Sequence, residues 1–131
     1  MTTWTVALPL REEYVDYLGH VTAAAHLALC EEARTHWLME MLLEEQPAFV
    51  LVRQELDYRH ELLQSDGPVT VSVEPVALTR STVTVQEAIV SSSGTTHTES
   101  RAVLVRWDRE ERRAMAFLPA ERDRISRRVI P

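Results

Sequence analysis

The sequence predicts an α+β domain in which a curved antiparallel β-sheet wraps round one long central α-helix. Three observations carry that expectation. Residues 22–45 hold no proline or glycine and many strong helix formers, with Pro47 just beyond them. After that stretch the apolar period changes from that of a helix to that of a strand, and the alternating segments are joined by connections of hairpin length. Strands joined in that way pair antiparallel, and a sheet with one apolar face needs a helix to cover it.

Residues 3–10 alternate loosely and read as a first strand ending near Pro9, followed by a loop over 11–21. In the helix, Leu27, Cys30, Trp37, Leu38 and Met41 fall on one stripe, while Leu29, Met39 and Leu43 form a second apolar area, so the helix is expected to be covered on more than one side. Residues 49–59 then put Val50, Val52, Leu56 and Tyr58 on one face of a second strand. Val69, Val71 and Val73 alternate with polar residues in the next, where Pro75 marks a bulge or an edge position. Residues 82–90 and 98–107 are two further strands about a turn at 91–95 containing Gly94. A polar turn at 108–113 leads into 114–118, and Pro119 opens a short terminal helix through Ile125.

At 131 residues, with 45% apolar and 26% charged residues, the chain is long enough for one domain, 1–131, with a core of its own. Cys30 is the only cysteine, which excludes an intramolecular disulfide and a cysteine-rich metal site and fits a reducing compartment. No segment resembles a secretory signal, and no apolar run approaches the roughly 20 residues that span a bilayer, so no membrane partner and a soluble, cytoplasmic protein are expected. The net charge of −6 argues against sequence-independent nucleic-acid binding. Residues 1–100 carry 5 arginines against 15 acids, whereas 101–131 carry 9 against 5, so the terminal region can still offer a local anion site. Every basic residue is arginine.

The segment Asp16-Tyr17-Leu18-Gly19-His20-Val21 joins the first strand to the helix. It sets a carboxylate, an imidazole and a flexible glycine beside helix-start N–H groups that have no partner inside the helix, an arrangement suited to polarising an acyl carbonyl.

That segment, followed by His26-Leu27 and Glu31-Glu32-Ala33-Arg34, resembles the hotdog-fold thioesterases, in particular the group that includes 4-hydroxybenzoyl-CoA thioesterase and related acyl-CoA thioesterases. Their pattern is Asp, two variable residues, Gly-His-Val-Asn-Asn, an aromatic, Leu and a downstream Glu-Glu-Ala-Arg. Asp57-Tyr58, Arg80-Ser81 and Leu118-Pro119 also resemble family positions, and the order of elements agrees over nearly the whole chain. The chain departs from the pattern at Thr22 and Ala23, where many relatives have asparagines, at His26, where they have an aromatic, and at Tyr14, where a second acid is frequent.

The resemblance implies a hotdog fold and hydrolysis of an acyl-CoA or acyl-carrier-protein thioester, with coenzyme A entering only as part of the substrate and no metal or redox cofactor. It also implies a homodimer that can pair into a homotetramer, with sites at the subunit interface. Asp16 is then the general base that activates water or the nucleophile that attacks directly. The backbone N–H groups of Thr22 and Ala23 are the expected oxyanion donors, although Thr22 also reads as an N-cap. Gly19 lets the turn approach closely, and His20 orients Asp16, bonds the loop or contacts the thioester. Gly19, Val21, His26, Tyr58, Arg80 and Ser81 fall on the substrate side of the resemblance. His26 reads equally as a pocket wall and as a packed core histidine. Arg80, Arg101 and the basic terminal region are candidates for phosphate contacts.

Glu32, His36, Glu40 and Glu44 recur at four-residue spacing but read as a solvated helix face rather than a metal stripe. Cys30 reads as core. Two other readings stay open: a non-catalytic acyl-CoA-binding protein, which the departures at 22, 23 and 26 allow, and an acyl-thioester hydratase or dehydratase, an enzyme class that uses the same fold.

Overall fold

The computed structural model describes residues 3–129. In chain order these form β1 (Trp4–Leu8), α1 (Ala23–Leu42), β2 (Phe49–Tyr58), β3 (Val69–Leu78), β4 (Thr82–Val90), β5 (Thr96–Asp108), the two-residue β6 (Arg113–Ala114) and α2 (Pro119–Ser126). The sheet runs β1-β3-β4-β5-β2, with β6 paired to β5, and every pairing is antiparallel. It curls round α1 as the sequence leads one to expect, which is the hotdog arrangement.

Helix α1 begins where Thr22, in an extended conformation, accepts the Ala25 N–H on its hydroxyl. It ends three residues before the expected boundary, because Leu43 turns into the left-handed region at φ 52°. Glu44 thereby leaves the helix and reaches Arg106 at 3.3 Å. The buried face is centred on Leu29, Ala33 and Trp37, with Cys30, Leu38 and Met41 beside them. Leu27, placed on that stripe from sequence, is 42% exposed, since it lies two residues and about 200° from Leu29 round the helix. Leu43 is exposed too, having left the helical path.

An ion pair lies between this helix and the sheet. Arg34 donates from Nε and Nη2 to Glu87 on β4 at 2.8 and 2.9 Å, and Glu87 also accepts from Ser100 on β5. The fork ties the middle of the helix to the middle of the sheet, with both side chains essentially inaccessible.

Strand β2 corrects a second expectation. A bulge between Leu51 and Arg53 makes Val52 the extra residue, so Leu51, Gln54, Leu56 and Tyr58 pair with Leu104, Ala102, Ser100 and Thr98 on the helix side, and Val50 faces the other way. The bulge at Pro75 lies between Pro75 and Ala77, as its proline suggested. At the chain end, Pro119 opens α2, and Glu121 accepts the Leu118 N–H while pairing with buried Arg106.

Candidate active site

Residues 15–21 form a tight reversal between β1 and α1. Val15 and Val21 bridge antiparallel, the Asp16 N–H donates to the His20 carbonyl, and the Gly19 N–H donates to the Asp16 carbonyl. Gly19 takes φ +82°, open to glycine at little cost. The Asp16 Oδ1 accepts the N–H groups of Leu18 and His20 at 2.9 and 3.0 Å, while Oδ2 has no hydrogen bond among the described residues. The half-buried carboxylate is thus held by one oxygen, with the other left open.

The turn is pinned in its own right to the segment after β2. The Val21 N–H donates to the Leu62 carbonyl at 2.7 Å, and His20 bridges Leu63. This second tie carries Glu61 alongside His20, and their side chains meet at 2.8 Å between Nε2 and Oε2. Between the two segments opens a cavity of about 210 Å³, walled by His20, Val21, Ala23 and His26 on one side and by Tyr58, Glu61 and Leu62 on the other. Asp16 does not line it in a single chain; its place is in the turn that carries His20 there.

At the helix start the Thr22 N–H donates to the Tyr14 carbonyl at 2.9 Å. That bond occupies one of the two expected oxyanion donors, because a strand-like residue preceding the helix finds a neighbour across the reversal. Ala25 is capped by the Thr22 hydroxyl, so the N–H groups left without a partner among the described residues are those of Ala23 and Ala24. Ala23 borders the cavity, and its carbonyl accepts the Tyr58 hydroxyl at 3.1 Å.

His26 packs beneath that contact. It is 3% exposed, meets the Tyr58 ring edge-on with centroids 5.0 Å apart, and shares a hydrogen bond between Nδ1 and the Thr98 hydroxyl. Burial first, and then the charge of His97, pulls its pKa below the ordinary value, opposed by the Val21 carbonyl. The ring is therefore a neutral floor to the cavity, both wall and packed histidine. Cys30 is fully buried, and its thiol is pushed up to about 12, chiefly by burial and then by Glu87.

Arg80 and Ser81 stand elsewhere. They belong to the β3–β4 turn, at the sheet end where Thr82 pairs with Val105, whereas the cavity lies at the end where Thr98 pairs with Tyr58. In one chain these sites are separated by most of the length of the strands. The helix acids also have other partners: Glu40 accepts from the Trp4 indole and Glu44 pairs with Arg106. Sequence reasoning missed Glu61 and His97, and with them Arg59, His60 and Leu62 on the cavity wall. His97 bonds the Glu61 carbonyl and the Ser91 hydroxyl, and neither residue carries a local signal for contacts made across the fold.

A larger cavity, about 440 Å³, lies towards the other end of α1 between β1, β3 and α2. Its walls carry Trp4, Glu40, Glu74 and three arginines but no carbonyl-activating amide or imidazole, so the smaller cavity is the better candidate for acyl chemistry.

Residues 10–125 match the family model of the thioesterase-like superfamily. Among solved structures, the chain is similar to a thioesterase from Thermus thermophilus complexed with coenzyme A and Zn, at 31% identity over 92% of this chain and 95% of that one, with a TM-score of 0.82. A protein from Staphylococcus aureus in complex with CoA shares the fold at 13% identity, with 99% of this chain and 87% of that one covered and a TM-score of 0.87. So does a 1,4-dihydroxy-2-naphthoyl-CoA thioesterase from Synechocystis, at 17% identity, 95% and 96% coverage and a TM-score of 0.79. No curated protein matches the chain. Among the described residues no helix is long and apolar enough to cross a membrane.

Proposed function

The chain belongs to the thioesterase-like superfamily, and from that premise we propose that it hydrolyses the thioester of an acyl-CoA or an acyl-carrier protein to the free acid and thiol. The observation that carries the reading is the meeting, at one helix start, of open amide donors on Ala23 and Ala24, an imidazole in a cavity, and a carboxylate held by a single oxygen. In this reading the acyl carbonyl oxygen takes the Ala23 N–H, where charge develops as water adds. Asp16, through its open Oδ2, accepts the proton of the attacking water or attacks the carbonyl itself. His26 and Tyr58 floor the acyl group.

The site is completed by a second copy. Strand β2 is a ten-residue edge strand whose outer side has no partner among the described residues, with Val52 57% and Tyr58 52% exposed. Two such edges paired antiparallel about a two-fold axis set the Phe49 end of one β2 beside the Tyr58 end of the other. The partner's β3–β4 turn, with its Arg80 and Ser81, then comes to the end of the sheet that carries this chain's cavity. Arg80 meets coenzyme A phosphate across the interface in that assembly, and bidentate guanidinium contacts suit the role.

Thiol release measured across short, long and aromatic acyl-CoAs tests the proposal, with the oligomeric state determined alongside. Turnover by a dimer or tetramer supports it. Thermal stabilisation by acyl-CoAs without thiol release favours a binding protein instead, and a change in acyl-chain unsaturation without thiol release favours a hydratase or dehydratase.

A further inference from the structure

The His20–Glu61 contact joins two segments that are fastened independently of it. His20 is fixed by its N–H on Asp16, its carbonyl on the Asp16 N–H and its bridge to Leu63. Glu61 is fixed by its carbonyl on His97 Nδ1 and by the Leu62 carbonyl on the Val21 N–H. Two main chains held in this way present an imidazole and a carboxylate to one another at 2.8 Å, both at the wall of the cavity that Ala23 borders. The carboxylate lies against Nε2, so Nδ1, which has no hydrogen bond among the described residues, is the nitrogen turned over to other work.

We propose that His20 delivers a proton to the sulfur of the departing thiol, and that Glu61 is the positioning residue that holds the ring in the orientation for it. The proposal rests on the hydrolysis reading above and adds the second half of its proton path. As water bonds to the acyl carbon, its proton passes to Asp16. As the carbon–sulfur bond breaks, its electron pair stays on sulfur and the proton on His20 Nδ1 goes to it, so a neutral thiol leaves. Asp16 then returns its proton to His20 through solvent, and the acid product loses its own proton to water. Thioester and water become carboxylate, thiol and one proton.

The division of labour has a physical motive. Asp16 spends Oδ1 on its own turn and keeps only Oδ2 for the attacking water, whereas the imidazole lines the cavity and is free for the leaving group. An alkyl thiolate such as that of coenzyme A is basic, on the scale of a free cysteine at about 8.5, and leaves more readily when protonated. An aryl thiolate, its charge spread into the ring, needs no such help.

The test compares wild type, His20→Gln and Glu61→Gln on one acyl group carried either by coenzyme A or by an aromatic thiol, with melting temperatures measured in parallel. On the acyl-CoA, His20→Gln is expected to lose about 10²-fold in kcat, the lower range for general acid catalysis. Glu61→Gln is expected to lose roughly 10-fold, the scale of a group acting through another. On the aryl thioester both variants are expected to stay within about threefold of wild type, the gap that separates lost proton transfer from lost structure. Equal losses on both thioesters overturn the role of His20, and undiminished acyl-CoA turnover in Glu61→Gln overturns that of Glu61. Wild type that releases no thiol from any acyl-CoA overturns the hydrolysis reading itself, and this proposal with it.

Discussion

The backbone N–H of His20 donates to Oδ1 of Asp16 at 3.0 Å, so the acid and the imidazole of this site are joined through main chain rather than through their side chains. The carboxylate organises the turn, and the turn delivers the ring to the cavity. Asp16→Ala therefore removes a turn acceptor along with the charge, whereas Asp16→Asn keeps an oxygen acceptor and removes only the charge.

Gly19→Ala is expected to destabilise the fold by roughly 1–2 kcal/mol, the cost of a left-handed conformation for a residue with a Cβ. A Cβ at this position meets no atom within 4 Å, so the loss is conformational and Gly19→Asn is expected to show less of it. Urea denaturation of the two variants checks the order; equal stability of Gly19→Ala and wild type contradicts it.

Arg34→Met leaves Glu87 charged and unpaired in a site with no access to water, and is expected to lose about 3–5 kcal/mol. The double variant Arg34→Met with Glu87→Leu is expected to recover much of that loss, because the stranded charge is gone. A double-mutant cycle by denaturant unfolding measures the coupling, and additive losses contradict it.

The Cys30 thiol, buried and pushed up to about 12, is expected to resist alkylation in the native protein at about pH 8 and to label fully after denaturation. Rapid labelling of the folded chain, followed by mass spectrometry, is the contrary result.

His26 has a folded pKa below its ordinary value of 6.5, with burial the leading cause. The unfolded chain then binds more protons in the window just below 6.5, so stability rises with pH there. The contribution is fully present above that value and is lost as pH falls through the lower, folded one. Stability measured between about pH 7.5 and 5.5 is expected to fall more in wild type than in His26→Gln, and parallel curves contradict the assignment.

The sequence was most readable where its signal is local. Alternation at Val69, Val71 and Val73, the proline at the head of α2, and the Asp-x-x-Gly-His turn all state their structure within a few residues. What it did not reveal depends on contacts distant in the chain. The bulge at Val52 takes Val50 and Val52 off the face that Leu56 and Tyr58 keep, and nothing in Leu51-Val52-Arg53 announces it. The face of α1 rotates to Leu29 rather than Leu27 because the sheet, with Glu87 waiting for Arg34, fixes the helix angle. The Thr22 N–H is taken by Tyr14 across the reversal, and Glu61 reaches His20 only because residues 62 and 63 pair with 20 and 21. Arg80 and Ser81 were recognised by resemblance alone, and one chain leaves them at the far end of the sheet.

The most direct test of the whole account is the single-turnover rate of thiol release from an acyl-CoA by Asp16→Asn set against wild type, with both proteins shown to melt at the same temperature. A carboxylate that takes the proton of the attacking water, or attacks the carbonyl itself, predicts a loss of at least about 100-fold with the fold intact. Turnover by Asp16→Asn equal to that of the wild type contradicts the account, because the carboxylate would then serve only the turn that it is seen to hold.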